Sequence, residues 1–171
     1  LRGGKGGRSG ASVKITVQLG ARSLNKALKQ LDRYQQKVDS APGKIVHKLT
    51  EEGVSMAQQN AIAMDAIDTG DMIDRIDSEY RGDAGYVVSS SDHAAFVEFG
   101  TGVVGSSSPH PLAAPNGWQY DVNEHGEAGW WYYDRDGNRR WTAGMASRPY
   151  MQDTGSMLKN RVVDVAKQVM R

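Results

Sequence analysis

The chain has 171 residues, 39% of them hydrophobic, with 20 glycines, no cysteine and a formal net charge of +1. That length supports one domain with a modest core plus loops or arms, and not two comfortable domains. The absence of cysteine excludes a disulfide scaffold and any thiolate metal site, and the near-neutral balance gives the chain as a whole no electrostatic case for nucleic acid or membrane.

No apolar run approaches bilayer-spanning length and no signal-peptide core is present, so a soluble protein made in a cytoplasm is expected. The first residue is Leu1 rather than methionine, and a trimmed or processed start is expected. Residues 1–12 are glycine-rich and carry Arg2, Lys5 and Arg8 without an acid, which predicts a flexible basic arm, either a solvated tail or one that orders only on a neighbouring subunit or on DNA phosphate. Val13, Ile15, Val17 and Leu19 alternate with polar residues and predict a half-buried strand that opens a single domain over 13–171.

Helical spacing follows. Ser23 is a candidate cap for a helix with Leu24, Ala27, Leu28, Leu31, Tyr34 and Val38 on its apolar face. Pro42 fits the first turn of a second helix carrying Ile45, Leu49, Met56 and Met64, with Gly53 at a point of close approach. The junction Ser40-Ala41-Pro42-Gly43 predicts an antiparallel or angled helix pair. Asp68 can cap, and Gly70 admit, a third helix that buries Met72, Ile73 and Ile76. The acids Asp65, Asp68, Asp71, Asp74 and Asp77 lack the ligand order of a calcium loop and read as caps and solvated groups.

Residues 78–81 and 86–90 predict two strands joined by Gly82-Asp83-Ala84-Gly85. Asp92 is a candidate cap for a short helical turn with Ala95, Phe96 and Phe99 on one face, ended at Gly100. Glu98 sits among apolar residues, so its carboxylate needs donors, and the nearest are the amides of residues 100–102 and the Thr101 hydroxyl. The stretch 103–145 reads as an extension, a long loop rich in serine, proline and glycine and then a hairpin. That hairpin pairs Trp130-Trp131-Tyr132-Tyr133 with Arg139-Arg140-Trp141-Thr142. A small sheet cannot bury so much aromatic area, and an aromatic, arginine-bearing projection suits a protein contact, the other reading being a sheet edge packed on its own domain. Thr154 is a candidate cap for a terminal helix with Met157, Leu158, Val162, Val165, Ala166 and Val169 inward.

The four histidines, His47, His93, His110 and His125, are isolated in sequence. His110 and His125 share a loop with Asp121 and Glu124 and read as solvated rather than as metal ligands. No phosphate loop, nucleophile elbow, dinucleotide fingerprint or zinc motif is present, so no catalytic residue, cofactor or metal is assigned.

Three blocks carry a family resemblance. Residues 92–102, with Ala94-Ala95-Phe96-Val97-Glu98-Phe99-Gly100-Thr101-Gly102, resemble the A-x-[YF]-V-E-F-G-T-G signature of the tail-component family of long-tailed bacteriophages, the neck, tail-completion and head–tail joining proteins. Upstream, Asp68-Thr69-Gly70-Asp71-Met72-Ile73-Asp74-Arg75-Ile76 resembles its D-T-G-x-L-x-x-S-I block, with Met72 for leucine and Arg75 for a small polar residue. Downstream, Ser147-Arg148-Pro149-Tyr150-Met151 resembles the x-x-P-[FY]-[LM] block, followed here by Gln152-Asp153-Thr154-Gly155 in place of a P-A pair.

The fold expected is α+β: a small, mostly antiparallel sheet on two or three helices, with the flexible arm, the long loop and the tryptophan-rich hairpin as appendages. The resemblance implies a virion structural protein, a ring subunit, six- or twelve-fold, at the head–tail junction that completes the tail or joins it to the head. Its implied partners are copies of itself and neighbouring connector, tail-tube or terminator proteins, with DNA passing the lumen unread and no membrane. Asp68, Gly70, Glu98, Gly100, Thr101, Gly102 and Pro149 are the candidate fold-defining positions, and Arg2, Lys5, Arg8, Trp118, Trp130, Trp131, Tyr133, Arg139 and Trp141 the candidate subunit contacts. Two other readings stand beside it. One is a nucleic-acid-binding module using the arm and the Trp131/Arg139/Arg140/Trp141 surface. The other is a carbohydrate-processing enzyme in which Glu98 pairs with a second acid and tryptophans form the sugar platform.

Overall fold

The computed structural model of the chain describes residues 21–66, 70–121, 128–134 and 136–171. The expectations for the arm and its Arg2, Lys5 and Arg8, for the strand at 13–19, and for Asp68, Glu124 and His125 lie outside the described residues. The chain divides after Ser40 into two compact units.

In the first unit, residues 21–40 are helical and begin helix α1 (Ala21–Ala63). The helix is already under way at Ala21, so Ser23 lies inside it rather than at its cap. Of the predicted apolar face only Ala27 is buried; Leu24, Leu28, Leu31, Tyr34 and Val38 are exposed. Periodicity identified the helix but not a cover for that face.

The predicted break at residues 40–43 is absent: Pro42 sits inside α1. Proline removes one amide donor and crowds the carbonyl four residues back, yet its fixed φ near −65° is itself helical, so a long helix can absorb one missing bond. There is accordingly no hairpin of two helices at that point. In the second unit, residues 41–63 of α1 instead run antiparallel to the terminal helix α5 (Tyr150–Met170). The pairing follows from its ties: Lys48 to Gln168, Glu52 to Arg161 at 3.1 Å, and Asn60 Nδ2 donating to Thr154 Oγ1 at 3.0 Å.

Between them come α2 (Asp71–Asp74), β1 (Ile76–Arg81), β2 (Ala84–Ser89), α3 (Ala94–Phe99), α4 (Gly102–Ser107), β3 (Trp130–Tyr133), β4 (Arg139–Thr142) and β5 (Gly144–Met145). The third predicted helix shrinks to the single turn of α2 after Gly70, and Ile76 buries its side chain from a strand. The strands form two separate antiparallel hairpins, β1–β2 and β3–β4. The fold is α+β. Register in β1–β2 pairs Ser78 with Val87 and Tyr80 with Gly85, and this face lies on α1. There Tyr80 and Ser78 donate to Glu51, and the Tyr80 ring stacks on His47 at 4.9 Å.

The core is Ala57, Ala61, Ala66, Met72, Ile76, Val97 and Tyr150, with Val54, Met64, Ile73, Val87, Met145 and Met151 packed around it. Small residues on α1 allow the layers to meet. A Cβ on Gly53 would fall 2.7 Å from Val87 Cγ2 and 2.8 Å from Leu158 Cδ1, the close approach its sequence position predicts. Residue 154 does not cap α5, which starts at Tyr150; Thr154 is buried and its hydroxyl bonds back to the Tyr150 carbonyl at 2.7 Å.

Candidate functional site

Helix α3 is one and a half turns, preceded by His93 rather than by the predicted Asp92 cap, and neither residue makes a side-chain cap bond. Its short length turns Val97 and Glu98 inward, both under a tenth exposed. The Glu98 carboxylate accepts from two amides, Met151 N at 2.9 Å and Gln152 N at 3.0 Å. These belong to the first turn of α5, where backbone donors have no partner inside the helix. A carboxylate there satisfies the orphan donors and meets the positive end of the helix dipole. Glu98 therefore staples structure, as its setting predicts, but across 53 residues to α5 and not to its own turn. The Thr101 hydroxyl instead accepts from Met145 N at 3.2 Å.

The backbone reinforces this junction. Arg148 N donates to Val97 O at 2.8 Å and the Ser147 hydroxyl to Glu98 O at 2.6 Å. Thr101 and Gly102 make bridges to Met145 and Gly144. Gly100 has φ +79° with an extended ψ of 169° rather than a left-handed cap geometry, and a Cβ on it would lie 2.7 Å from Ser147 N. At Gly144, φ is +99° and a Cβ would run into the Thr101 carbonyl oxygen. Pro149 stands at the N-cap position of α5.

The loop after α4 returns to cover the same place. His110, expected in solvent, is 3% exposed. Its Nδ1 accepts from Leu112 N at 3.0 Å, which puts the ring hydrogen on Nε2, 3.3 Å from Glu98 Oε1 but without the alignment of a hydrogen bond. The ring meets Phe99 edge-on at 4.7 Å, Phe99 stacks on Trp118 at 5.1 Å, and Trp118 Nε1–H donates to Gly100 O at 3.0 Å. Ser89, Ala94, Phe99, His110, Tyr150 and Gln152 are among the walls of a cleft of about 410 Å³ over Glu98. Burial raises the Tyr150 phenol pKa, and the Glu98 carboxylate pushes the same way. The Ser89 hydroxyl pulls against them, though neither hydroxyl closes a hydrogen bond of normal geometry. Glu98 is the only carboxylate among the described residues lining this cleft, and both its oxygens hold α5. The opposed pair of acids that a glycosidase needs is not what lines it.

The second hairpin is built differently. Asp134 holds its turn: Oδ1 accepts from Asn138 N at 2.8 Å and Asp136 N at 3.1 Å, and Oδ2 takes Arg140 Nε at 3.0 Å. The Arg140 bond, then the Asn138 amide, keep this carboxyl below its usual range. Register pairs Trp131 with Trp141 and Tyr133 with Arg139. Alternation puts these four on one face of the ribbon. Trp131, Trp141 and Tyr133 are 54%, 51% and 73% exposed. The indoles meet edge-on at 5.4 Å and the Arg139 guanidinium lies 4.6 Å over the Trp131 ring. Trp130 is half-buried on the opposite face, and Trp118 is half-buried against Phe99.

Comparison of the chain with protein-family models, with curated proteins and with solved structures finds no match. The structure joins Glu98, Gly100, Thr101 and Gly102 to the stretch around Pro149, with Gly70 at the start of α2, whose Met72 enters the same core. It does not bring the exposed hairpin face into that junction. Sequence reasoning missed the inward placement of His110 and the amides of Met151 and Gln152. The one signal for them was the Pro149-Tyr150 step, since proline commonly opens a helix and leaves the next amides in need of an acceptor.

Proposed function

We propose that this chain is a structural subunit that works by assembling with copies of itself, and that the assembly is a ring at the neck of a long-tailed bacteriophage, completing the tail or joining it to the head. The observation that carries the assembly reading is the Trp131/Trp141/Tyr133 face, a contiguous aromatic surface left in solvent on a two-stranded ribbon. Such a surface costs solubility in a monomer and matches the composition of interface centres. The phage assignment is supported by the three motif blocks, whose residues here serve the fold: Met72, Ile76, Val97 and Tyr150 share one core, and Glu98 ties two of the blocks together. The reading involves no catalytic step.

The hairpin also bears on the nucleic-acid alternative. Base stacking needs open aromatic faces and free cations, whereas Arg139 already covers Trp131 and Arg140 is paired with Asp134. Protein contact is the better use of this surface. Sedimentation velocity with negative-stain imaging over a concentration series tests the proposal: concentration-dependent closed rings are expected. A strictly monomeric protein that retards duplex or single-stranded DNA in a gel, with strong salt dependence, would replace it with the alternative.

A further inference from the structure

We infer that the basic ridge of helix α1, formed by Arg22, Lys26, Lys29, Arg33 and Lys37, binds the phosphate backbone of double-stranded nucleic acid without reading its sequence. This goes beyond the assembly reading and uses neither the aromatic hairpin nor the cleft over Glu98.

The net charge of +1 conceals an uneven division. Residues 1–40, the first compact unit, carry nine Lys and Arg against two Asp, a net of +7. Residues 41–171 carry twelve against eighteen acids, a net of −6. Such asymmetry between parts of one chain points to a polyanionic partner for the basic part.

The helix gives that excess a shape. The five cations stand at i, i+4, i+7, i+11 and i+15 within α1. At about 100° and 1.5 Å per residue they form one stripe about 80° wide and about 22 Å long. Arg22, Lys26, Lys29 and Arg33 are exposed, and among the described residues no acid pairs with these four. Asp32 and Asp39 lie off the stripe, and Asp39 accepts from Gln35 Nε2 at 2.9 Å. Every neighbouring pair along the ridge is a like-charge pair at i, i+3 or i, i+4, which opposes the helix. A row of external anions turns each of those repulsions into attraction.

The geometry favours a duplex. It carries one charge per about 1.7 Å of its axis, so a straight row of cations meets anions along its whole length. Contacts to phosphate position a protein and carry no base information. The ridge has no aromatic side chain on which the bases of a single strand could stack. A bilayer fits less well, because the exposed Leu24, Leu28, Leu31 and Val38 lie on the opposite side of the helix. A helix on a membrane turns that side down, which aims the ridge away from the headgroups and brings Asp32 and Asp39 to their level.

The test is fluorescence anisotropy of the full chain with a short labelled duplex of mixed sequence over a salt series. Expected at physiological salt is a Kd of about 10⁻⁴–10⁻⁶ M, the same for a second sequence, with log K falling against log salt by a slope of about −4.5 or steeper. Arg22→Gln, Lys26→Gln, Lys29→Gln and Arg33→Gln combined keep good helix formers at every position, and circular dichroism will show the fold retained. This variant should lose about 3–4 from the slope and more than about tenfold in affinity. Arg22→Lys with Arg33→Lys keeps the charge and should bind as the wild type does, as should Arg139→Gln on the hairpin. The inference is overturned if the glutamine variant binds like the wild type, or if binding vanishes at physiological salt. Preference for single strands or for phosphatidylserine vesicles overturns it equally. Sedimentation reads the assembly separately: closed rings that ignore the duplex sink this inference alone, and a strictly monomeric protein that binds it through the ridge sinks the ring reading alone.

Discussion

At Glu98 one side chain fastens stretches 53 residues apart in the chain. Burial of the carboxylate was legible, because apolar neighbours on both sides of a short turn leave it nowhere else to go. Its partners were not, because a donor contributed by a distant helix start leaves no local trace. Glu98→Gln keeps one acceptor oxygen and is expected to cost about 1–2 kcal/mol in urea unfolding, and Glu98→Ala about 2–4 kcal/mol, since two buried amides then lose their acceptor. Equal losses for the two variants would show that the carboxylate charge and its second oxygen do the holding. Tyr150 sets a different dependence. Its folded-state pKa is raised above the ordinary 10.0, first by burial. Below pH 10 both folded and unfolded phenols keep their protons and the contribution is fully present. As the pH rises through the folded value the unfolded chain ionises more readily and stability is lost. Tyr150→Phe should make the alkaline limb of a pH–stability curve shallower. Because the hydroxyl lacks a partner, the change at pH 7 should be within about 1 kcal/mol.

Among the elements, both hairpins were legible from alternation and from turn residues such as Gly82-Asp83 and Asp134–Asn138. Helix α1 was half legible. Its 3.6-residue period reads through residues 40–43, but proline chemistry argued for a stop that the surrounding helix overrode. The turn of α4 within the predicted loop was not legible at all, since Gly102-Val103-Val104-Gly105 has no helical pattern and is held by the bridges at its base. Two glycines in α1 give a direct check on packing. Gly43 has nothing within 4 Å of where a methyl would sit, and Gly53 has Val87 and Leu158 against it. Gly43→Ala should stabilise by about 0.5–1 kcal/mol through helix propensity and lost unfolded-state freedom. Gly53→Ala should destabilise by about 1–3 kcal/mol through overpacking. Chemical denaturation of the pair, read at the same probe, compares them directly, and a stabilising Gly53→Ala would mean that β2 and α5 can give way.

For the whole molecule, the α+β class followed from the succession of periods along the chain, and the tryptophan-rich hairpin was expected apart from the first, as the structure has it. The candidate site divides in the same way. The residues of the junction were named by motif and the exposed face by excess aromatic area. If the assembly is held by aromatic burial, its midpoint should move by less than about threefold between low and moderate salt, because rim charges contribute little. A nucleic-acid contact would instead weaken as a steep power of salt concentration. Sedimentation at two ionic strengths separates these.

The unequal settings of the tryptophans make the chain its own optical gauge. Trp118, half-buried, stacked on Phe99 and bonded to Gly100, emits from a partly shielded site, whereas Trp131 and Trp141 are about half exposed and emit from a wetter one. Joining of copies should shift the emission towards the blue, unfolding should shift it towards the red, and the two events can be followed in one cuvette without a label.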